Sequence, residues 1–178
     1  MNITAMYFSG TGTTKKVTAA IADELTEIKI SQDETAAGEN PGSIKAGIKL
    51  WQRAADIDFT PPAARREIYR FTPDDLVVFG VPVIAGRVPN VLLKFLDTLQ
   101  GGGALAVPVV LYGNRNFDDA LIELRNILQD RGFYAIGAAA FIGEHSFSRI
   151  LAAGRPDSSD MELSRDFARK LAGKIHRL

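Results

Sequence analysis

Ser9 to Thr14, read as Ser-Gly-Thr-Gly-Thr-Thr, bring four hydroxyl side chains and two glycines into six consecutive positions. A strand-like run, ITAMYF at 3–8, precedes them, and Val17, Ala20, Ile21 and Leu25 then recur at helical spacing over 13–26. A turn of this kind exposes backbone N–H groups at a helix N-terminus, where the helix dipole favours an anion. Ser9, Thr11, Thr13 and Thr14 add hydroxyl donors, so neutral groups suffice to hold a phosphomonoester, and Lys15 and Lys16 add little if they point outward. Two other phosphate motifs do not fit. A dinucleotide fingerprint needs a third glycine where Lys15 stands, and a nucleoside-triphosphate loop needs Gly-Lys-Ser/Thr after four intervening residues. The plainer alternative is a well-capped helix start, since Ser and Thr are good N-caps.

Two later loops have the character of a planar ligand's binding edge. VPVIAGRVPN follows the run LVVFGVPV at 76–83, and GNRNFDDA follows AVPVVLY at 106–112. Both are short, contain glycine and are polar at intervals, as loops that approach a ring closely must be. The strand FYAIGAAAF at 133–141 leads into IGEHSFSR at the same edge. His145 there reads either as a ring or partner contact or as a surface histidine, and Gly154-Arg155-Pro156 as a turn.

The elements that position these loops alternate between short apolar runs and longer helical stretches. Helices are expected on Val91, Leu92, Phe95, Leu96 and Leu99, closed by Gly101 to Gly103; over 117–131, on Leu121, Leu124, Ile127 and Leu128; and over 160–176, on Leu163, Phe167, Leu171 and Ile175. Pro108 predicts that the early part of its strand is not fully paired. The alternation specifies an α/β fold, a parallel sheet covered by helices on both faces. Glu27–Ser31 and Asp56–Thr60 compete for the second strand. Asp56–Thr60 is preferred, with an insertion at about 30–54 that comprises a polar loop (32–42) and a short helix on Ile44, Ile48, Trp51 and Ala55.

Composition narrows the chemistry. The 178 residues are enough for one domain, 46% apolar and 24% charged, with zero formal net charge. No global field draws the chain to nucleic acid or to an anionic membrane. Apolar runs of about eight residues fall far short of the ~20 of a spanning helix. The start of the chain lacks the features of a secretory leader, so a cytoplasmic location is expected. With no cysteine and two histidines, disulfides, thiolate catalysis and cysteine-ligated clusters are excluded, and a multi-histidine metal site is not expected. Redox chemistry would require a bound organic cofactor.

The stretch YFSGTGTTKKVTAAI resembles the flavodoxin phosphate loop, whose core is Ser/Thr-x-Thr-Gly-x-Thr; Ser9, Thr11, Gly12 and Thr14 match it position for position. Ala5, Met6 and Thr18 depart from the pattern outside that core, where they affect packing. GVPVIAGRVPN, YGNRNFDDA, FIGEHSFS and AAGRPD are similar to segments of the flavodoxin-type domain of a bacterial and archaeal group, many of whose members carry a ferredoxin module. GNRNF is also similar to the third loop of the flavodoxin-like activators of manganese ribonucleotide reductase. The resemblance covers nearly the whole chain except 27–55. It implies a three-layer flavodoxin-like domain over residues 1–178, with a five-stranded parallel sheet in order 2-1-3-4-5 and FMN bound without a covalent bond.

By that resemblance Ser9, Gly10, Thr11, Gly12, Thr13 and Thr14 hold the phosphate. Pro82, Val83, Ile84, Ala85, Gly86, Arg87 and Val88 line one side of the isoalloxazine, and Gly113, Asn114, Arg115, Asn116 and Phe117 the other. Phe117 would stack on the ring, worth roughly 0.5–1.5 kcal/mol beyond area burial. Either arginine at ~6 Å from the reduced ring would contribute roughly 2.8 kcal/mol at an effective dielectric of 20, about 120 mV for one electron. The Gly86 peptide would reorient to offer its carbonyl to the ring N5 proton. Each residue has a plainer alternative: core packing for Phe117 and Ile84, turn formation for Asn114, Asn116 and Gly86, solvation for the arginines.

Three functions are open to such a chain. The first is an electron carrier between redox partners such as a separate ferredoxin or reductase, working as a monomer or homodimer. The second is an FMN-dependent NAD(P)H reductase acting on quinones or similar acceptors, and the third a flavin-free binding module on the same scaffold.

Overall fold

The computed structural model describes residues 1–37, 51–148 and 150–175, with the side chains of 29–37 left aside. β1 (Asn2–Tyr7) leads through the glycine-rich loop into α1 (Thr13–Ala37); two short strands follow, β2 (Gln52–Arg53) and β3 (Ile57–Asp58). The chain continues with β4 (Asp75–Pro82), α2 (Asn90–Leu96), β5 (Leu105–Tyr112), α3 (Ala120–Asp130), β6 (Tyr134–Ala135), β7 (Ala139–Ile142) and α4 (Ser158–Ile175).

All the strand pairs are parallel, along the path β2-β1-β4-β5-β6, with β3 also on β1 and β7 also on β5. β2 and β3 thus share one edge position and β6 and β7 the other. The seven segments occupy five positions in the expected order.

Side chains alternate across the sheet with a period of two. Ile3, Ala5, Tyr7, Leu76 and Val78 face α1 and α4 in one core cluster. Met6, Val77, Phe79 and Val81 face α2 and α3 in the other. β4 and β5 are apolar on both sides because helices cover both faces.

Several expected boundaries are corrected. Glu27–Ser31 belongs to α1, because Leu25 and Ile28 continue the apolar stripe of Val17 and Ile21 onto the sheet. Residues 32–37 are helix too, not loop. No helix runs through Trp51 and Ala55: Trp51 is buried just ahead of β2, and Ala55 lies between β2 and β3. Ile44 and Ile48 lie outside the described residues. β3 sits inside the preferred Asp56–Thr60 segment. α2 stops at Leu96, well before Gly101, and the Thr98 hydroxyl donates to the Phe95 carbonyl at 2.7 Å beyond its end.

The expected single strand at 133–141 is interrupted between Ala135 and Ala139, and Pro108 explains the break. The Ala106 carbonyl accepts the Ile136 N–H at 3.0 Å, so by strand periodicity Pro108 faces the same edge two residues on. There it has no N–H to offer, and pairing resumes only at Val109 with Ala139. On its other side β5 pairs with β4 without interruption.

Candidate functional site

The carboxyl ends of β1, β4 and β5 meet along one edge of the sheet, and the glycine-rich loop rises from it. Gly12 has φ +86°, a left-handed conformation that a side chain resists, and it turns the chain into α1. The loop is held at both ends: the Ser9 N–H donates to Thr60 Oγ1 at 2.8 Å, and Ser9 Oγ accepts the Lys15 N–H at 3.0 Å. Between these anchors, the N–H groups of Gly10, Thr11, Gly12, Thr13 and Thr14 find no acceptor among the described residues. They sit at the N-terminus of a 25-residue helix, the positive end of its dipole. Thr11 Oγ1 and Thr13 Oγ1 lie 3.2 Å apart beside them. Ser9 Oγ accepts from Lys15 and keeps its own hydroxyl hydrogen to donate.

A cleft of about 220 Å³ adjoins this cup. Gly10, Thr11, Thr13 and Thr14 form one wall, Pro82, Val83 and Ile84 another, and Phe8, Leu111 and Tyr112 add apolar and aromatic surface. Two further clefts, of about 300 and 310 Å³, share Thr11 and Glu144 with it. The residues present fit a phosphate ester carrying a flat apolar body. The cup offers donors without cost to the fold, and the cleft beside it is lined by apolar side chains with a polar rim.

Comparison with family models and with curated proteins finds no sequence match. Solved structures do match over almost the full chain. A flavodoxin from the domain Archaea has TM-score 0.61 at 14% identity, covering 99% of each chain. The flavodoxin of Streptococcus pneumonia TIGR4 has TM-score 0.58 at 15% identity, covering 98% of this chain and 99% of that one. The apo form of an NADH:FMN oxidoreductase has TM-score 0.59 at 17% identity, covering 96% and 88%. The chain has a flavodoxin-like fold.

Within this flavodoxin-like frame the sequence-expected residues divide. Gly10, Thr11, Thr13, Thr14, Pro82, Val83, Ile84 and Gly113 line the cleft, and Gly12 lines its neighbour on the Lys16 side. Thr14 is only 1% exposed, with its methyl directed at Gly80 of β4, so it contributes chiefly its N–H.

The rest of the first ring loop turns away. Ile84 and Arg87 exchange backbone hydrogen bonds at 3.0 and 3.1 Å across a two-residue turn in which Ala85 and Gly86 both have positive φ. The Gly86 carbonyl accepts the Asp119 N–H at 3.1 Å, so the expected reorientation toward a ring would break an existing bond. Arg87 forks onto Glu123 at 2.9 and 2.7 Å, and the Val88 N–H joins the same carboxylate at 2.8 Å. Arg87 is thus engaged by a bidentate carboxylate on α3 and lines none of the clefts beside the cup. The Arg87 hydrogen bond also holds the Glu123 carboxyl below the usual carboxylate range.

The second ring loop reaches the cleft through Gly113. Asn116 Oδ1 accepts the Asp118 N–H at 3.2 Å and Asn114 takes φ +58°, both turn-forming roles, while Arg115 is exposed. Phe117 packs against Tyr112, ring centroids 5.5 Å apart, and lines a different groove with Leu121 and Ile122. Tyr112 and Phe8 take the place on the cleft expected of Phe117.

Sequence reading missed Phe8, Tyr112, Gly143, Glu144 and Ser146. Phe8 and Tyr112 are the residues at or just past the ends of β1 and β5, so their position at the ligand edge was the available signal. The loop after β7 returns to the cup: Glu144 Oε1 accepts the Gly154 N–H at 2.9 Å, and Lys16 Nζ donates to the Pro156 carbonyl at 2.9 Å. His145 packs against Gly113, and its Nδ1 accepts the Phe147 N–H at 3.1 Å. Phe147 itself is 93% exposed. Arg155 pairs with Asp160 at the start of α4. Among the described residues, no helix is long and apolar enough to cross a membrane.

Proposed function

We propose that this flavodoxin-like protein binds FMN without a covalent bond and carries electrons between redox partners. The observation that carries the reading is the run of N–H groups from Gly10 to Thr14, without protein acceptors, at the head of α1. Bound FMN would supply reversible one- and two-electron redox chemistry. The chain's own part is binding and placement. The Gly10–Thr14 amides and the Thr11, Thr13 and Ser9 hydroxyls bind the phosphate dianion. Pro82, Val83, Ile84, Phe8 and Tyr112 offer apolar surface to the ring and exclude water from it. The exposed side chains of Ile84 and Phe147 leave an apolar rim for a partner's approach. The partner is a redox protein or module of the ferredoxin or reductase kind, in keeping with the resemblance to domains fused to a ferredoxin module, and the site of action is the cytoplasm.

A second reading, an FMN-dependent NAD(P)H reductase, is favoured by the similarity to an NADH:FMN oxidoreductase and by the two further clefts beside the cup. The visible spectrum of the purified protein tests the shared part. The twin bands of oxidised flavin, with FMN and not FAD released on denaturation, are expected; a colourless protein that takes up no added FMN would remove both readings. Bleaching by NADH or NADPH with no other protein present would then select the reductase.

A further inference from the structure

The phosphate loop is held by a segment 51 residues away in sequence, and that segment lines none of the clefts around the cup. We propose that Thr60 and Arg65 are positioning residues that preset the phosphate loop for its ligand, an inference that rests on the FMN reading above. Thr60 Oγ1 accepts the Ser9 N–H, which directs that peptide away from the cup and fixes where the following amides begin. Thr60 is itself fixed twice: its N–H donates to Asp58 Oδ1 at 2.9 Å, and its carbonyl accepts Arg65 Nη1 at 2.6 Å. Arg65 also binds the Phe59 carbonyl at 3.0 Å and lays its guanidinium 5.6 Å from the centre of the Phe8 ring, one wall of the cleft. The Phe59 N–H ties the segment to the Tyr7 carbonyl at the end of β1 at 3.0 Å. On the far side Ser9 Oγ receives the Lys15 N–H. A continuous chain of bonds therefore runs Arg65–Thr60–Ser9–Lys15 and closes the loop at both ends.

The physical need is clear. Gly10 and Gly12 give this loop more backbone freedom than any other residues would, and converging five amides on one anion requires that freedom to be removed. If the fold removes it beforehand, phosphate binding does not bear that cost. Thr60 and Arg65 act through Ser9 and touch no ligand. Loss of Thr60 should therefore weaken recognition of the phosphate in particular, while the flavin ring is held as before; loss of Arg65 removes in addition its contact with the Phe8 ring.

The test compares wild type with Thr60→Val, which keeps the shape and loses the acceptor, Thr60→Ser, which keeps the hydroxyl, and Arg65→Met, which keeps the stem. FMN and riboflavin are titrated by flavin fluorescence, and hydrogen exchange of the Lys15 amide is followed in the apoprotein. Thr60→Val should weaken FMN about fivefold to tenfold, the order of one lost hydrogen bond, with riboflavin affinity unchanged and Lys15 exchange accelerated. Arg65→Met, which also bares the Phe8 ring, should accelerate Lys15 exchange and weaken FMN more than riboflavin. Thr60→Ser should restore wild-type values. Equal weakening of both flavins, or no weakening with Lys15 exchange unaltered, would overturn the inference. Were wild type to show no preference for FMN over riboflavin, the cofactor reading would fall, and unaltered Lys15 exchange in Thr60→Val would separately dismiss the brace.

Discussion

At the scale of single residues, the cup follows from a few atoms whose roles can be separated. Gly12 occupies a left-handed conformation with open space where a Cβ would stand, so Gly12→Ala tests backbone strain without a clash. It should cost about 1–2 kcal/mol by unfolding and weaken FMN. Arg87→Ala separates two ideas about charge. With its guanidinium committed to Glu123, removing it should leave the flavin midpoint potential where it was and lower thermal stability instead. A potential shifted by tens of millivolts would restore the arginine to the ring's electrostatics. The glycine-rich turn of 9–14 from β1 into α1 was legible in sequence because Gly12 there takes the left-handed conformation that glycine favours. The destinations of Arg87 and Phe117 were not. Each depends on a helix partner, Glu123 or Leu121, that only the packed α3 brings into reach.

At the scale of elements, close approach decides. A Cβ on Gly80 of β4 would lie 2.1 Å from Thr18 Oγ1 and 2.9 Å from the Thr14 methyl, so α1 could no longer seat its first turns on the sheet. Gly80→Ala should therefore cost about 1–3 kcal/mol in denaturant unfolding and reduce FMN affinity through the displaced Thr14 amide. The fourth helix opens with a reciprocal cap: Asp157 Oδ1 accepts the Asp160 N–H at 3.0 Å and Asp160 Oδ2 the Asp157 N–H at 2.9 Å. The Arg155 hydrogen bond to Asp160 holds that carboxyl below the usual aspartate range. Because the folded value is depressed, its contribution is fully present above the ordinary value of ~3.9 and is lost as pH falls through the folded value. Asp160→Asn should be less stable near neutrality by about 1–2 kcal/mol, and its acid unfolding profile should be flatter than that of wild type. The long central strands were readable as unbroken apolar runs, and the helix stripes by their period of about 3.6 residues. The edges were not, since β2, β3 and β6 are two-residue pieces carrying no period of their own. Pro108 predicts weakened pairing in its own strand, whereas the gap it leaves interrupts the outer strand, expected to run unbroken over 133–141.

At the scale of the whole molecule, the described residues form parallel strands in five positions with two helices on each face, and the loops after β1, β4, β5 and β7 converge at one edge of that sheet. Sequence reading found the first three loops and the fold order, because alternating strand and helix patterns leave few topologies. It underrated the fourth loop, which the Glu144–Gly154 bond closes on itself and Lys16 ties to the head of α1 through the Pro156 carbonyl. The architecture also predicts that any ligand with a phosphate tail stabilises the fold through α1, so thermal midpoints should rise with FMN concentration. On the FMN reading, affinity should reside chiefly in the phosphate held by the Gly10–Thr14 amides. Parallel titration of apoprotein with FMN and with riboflavin, which differ only in that group, tests it most directly. FMN should bind about a hundredfold or more tighter, the order expected of several charge-assisted hydrogen bonds at a helix N-terminus; equal affinities for the two flavins would contradict it.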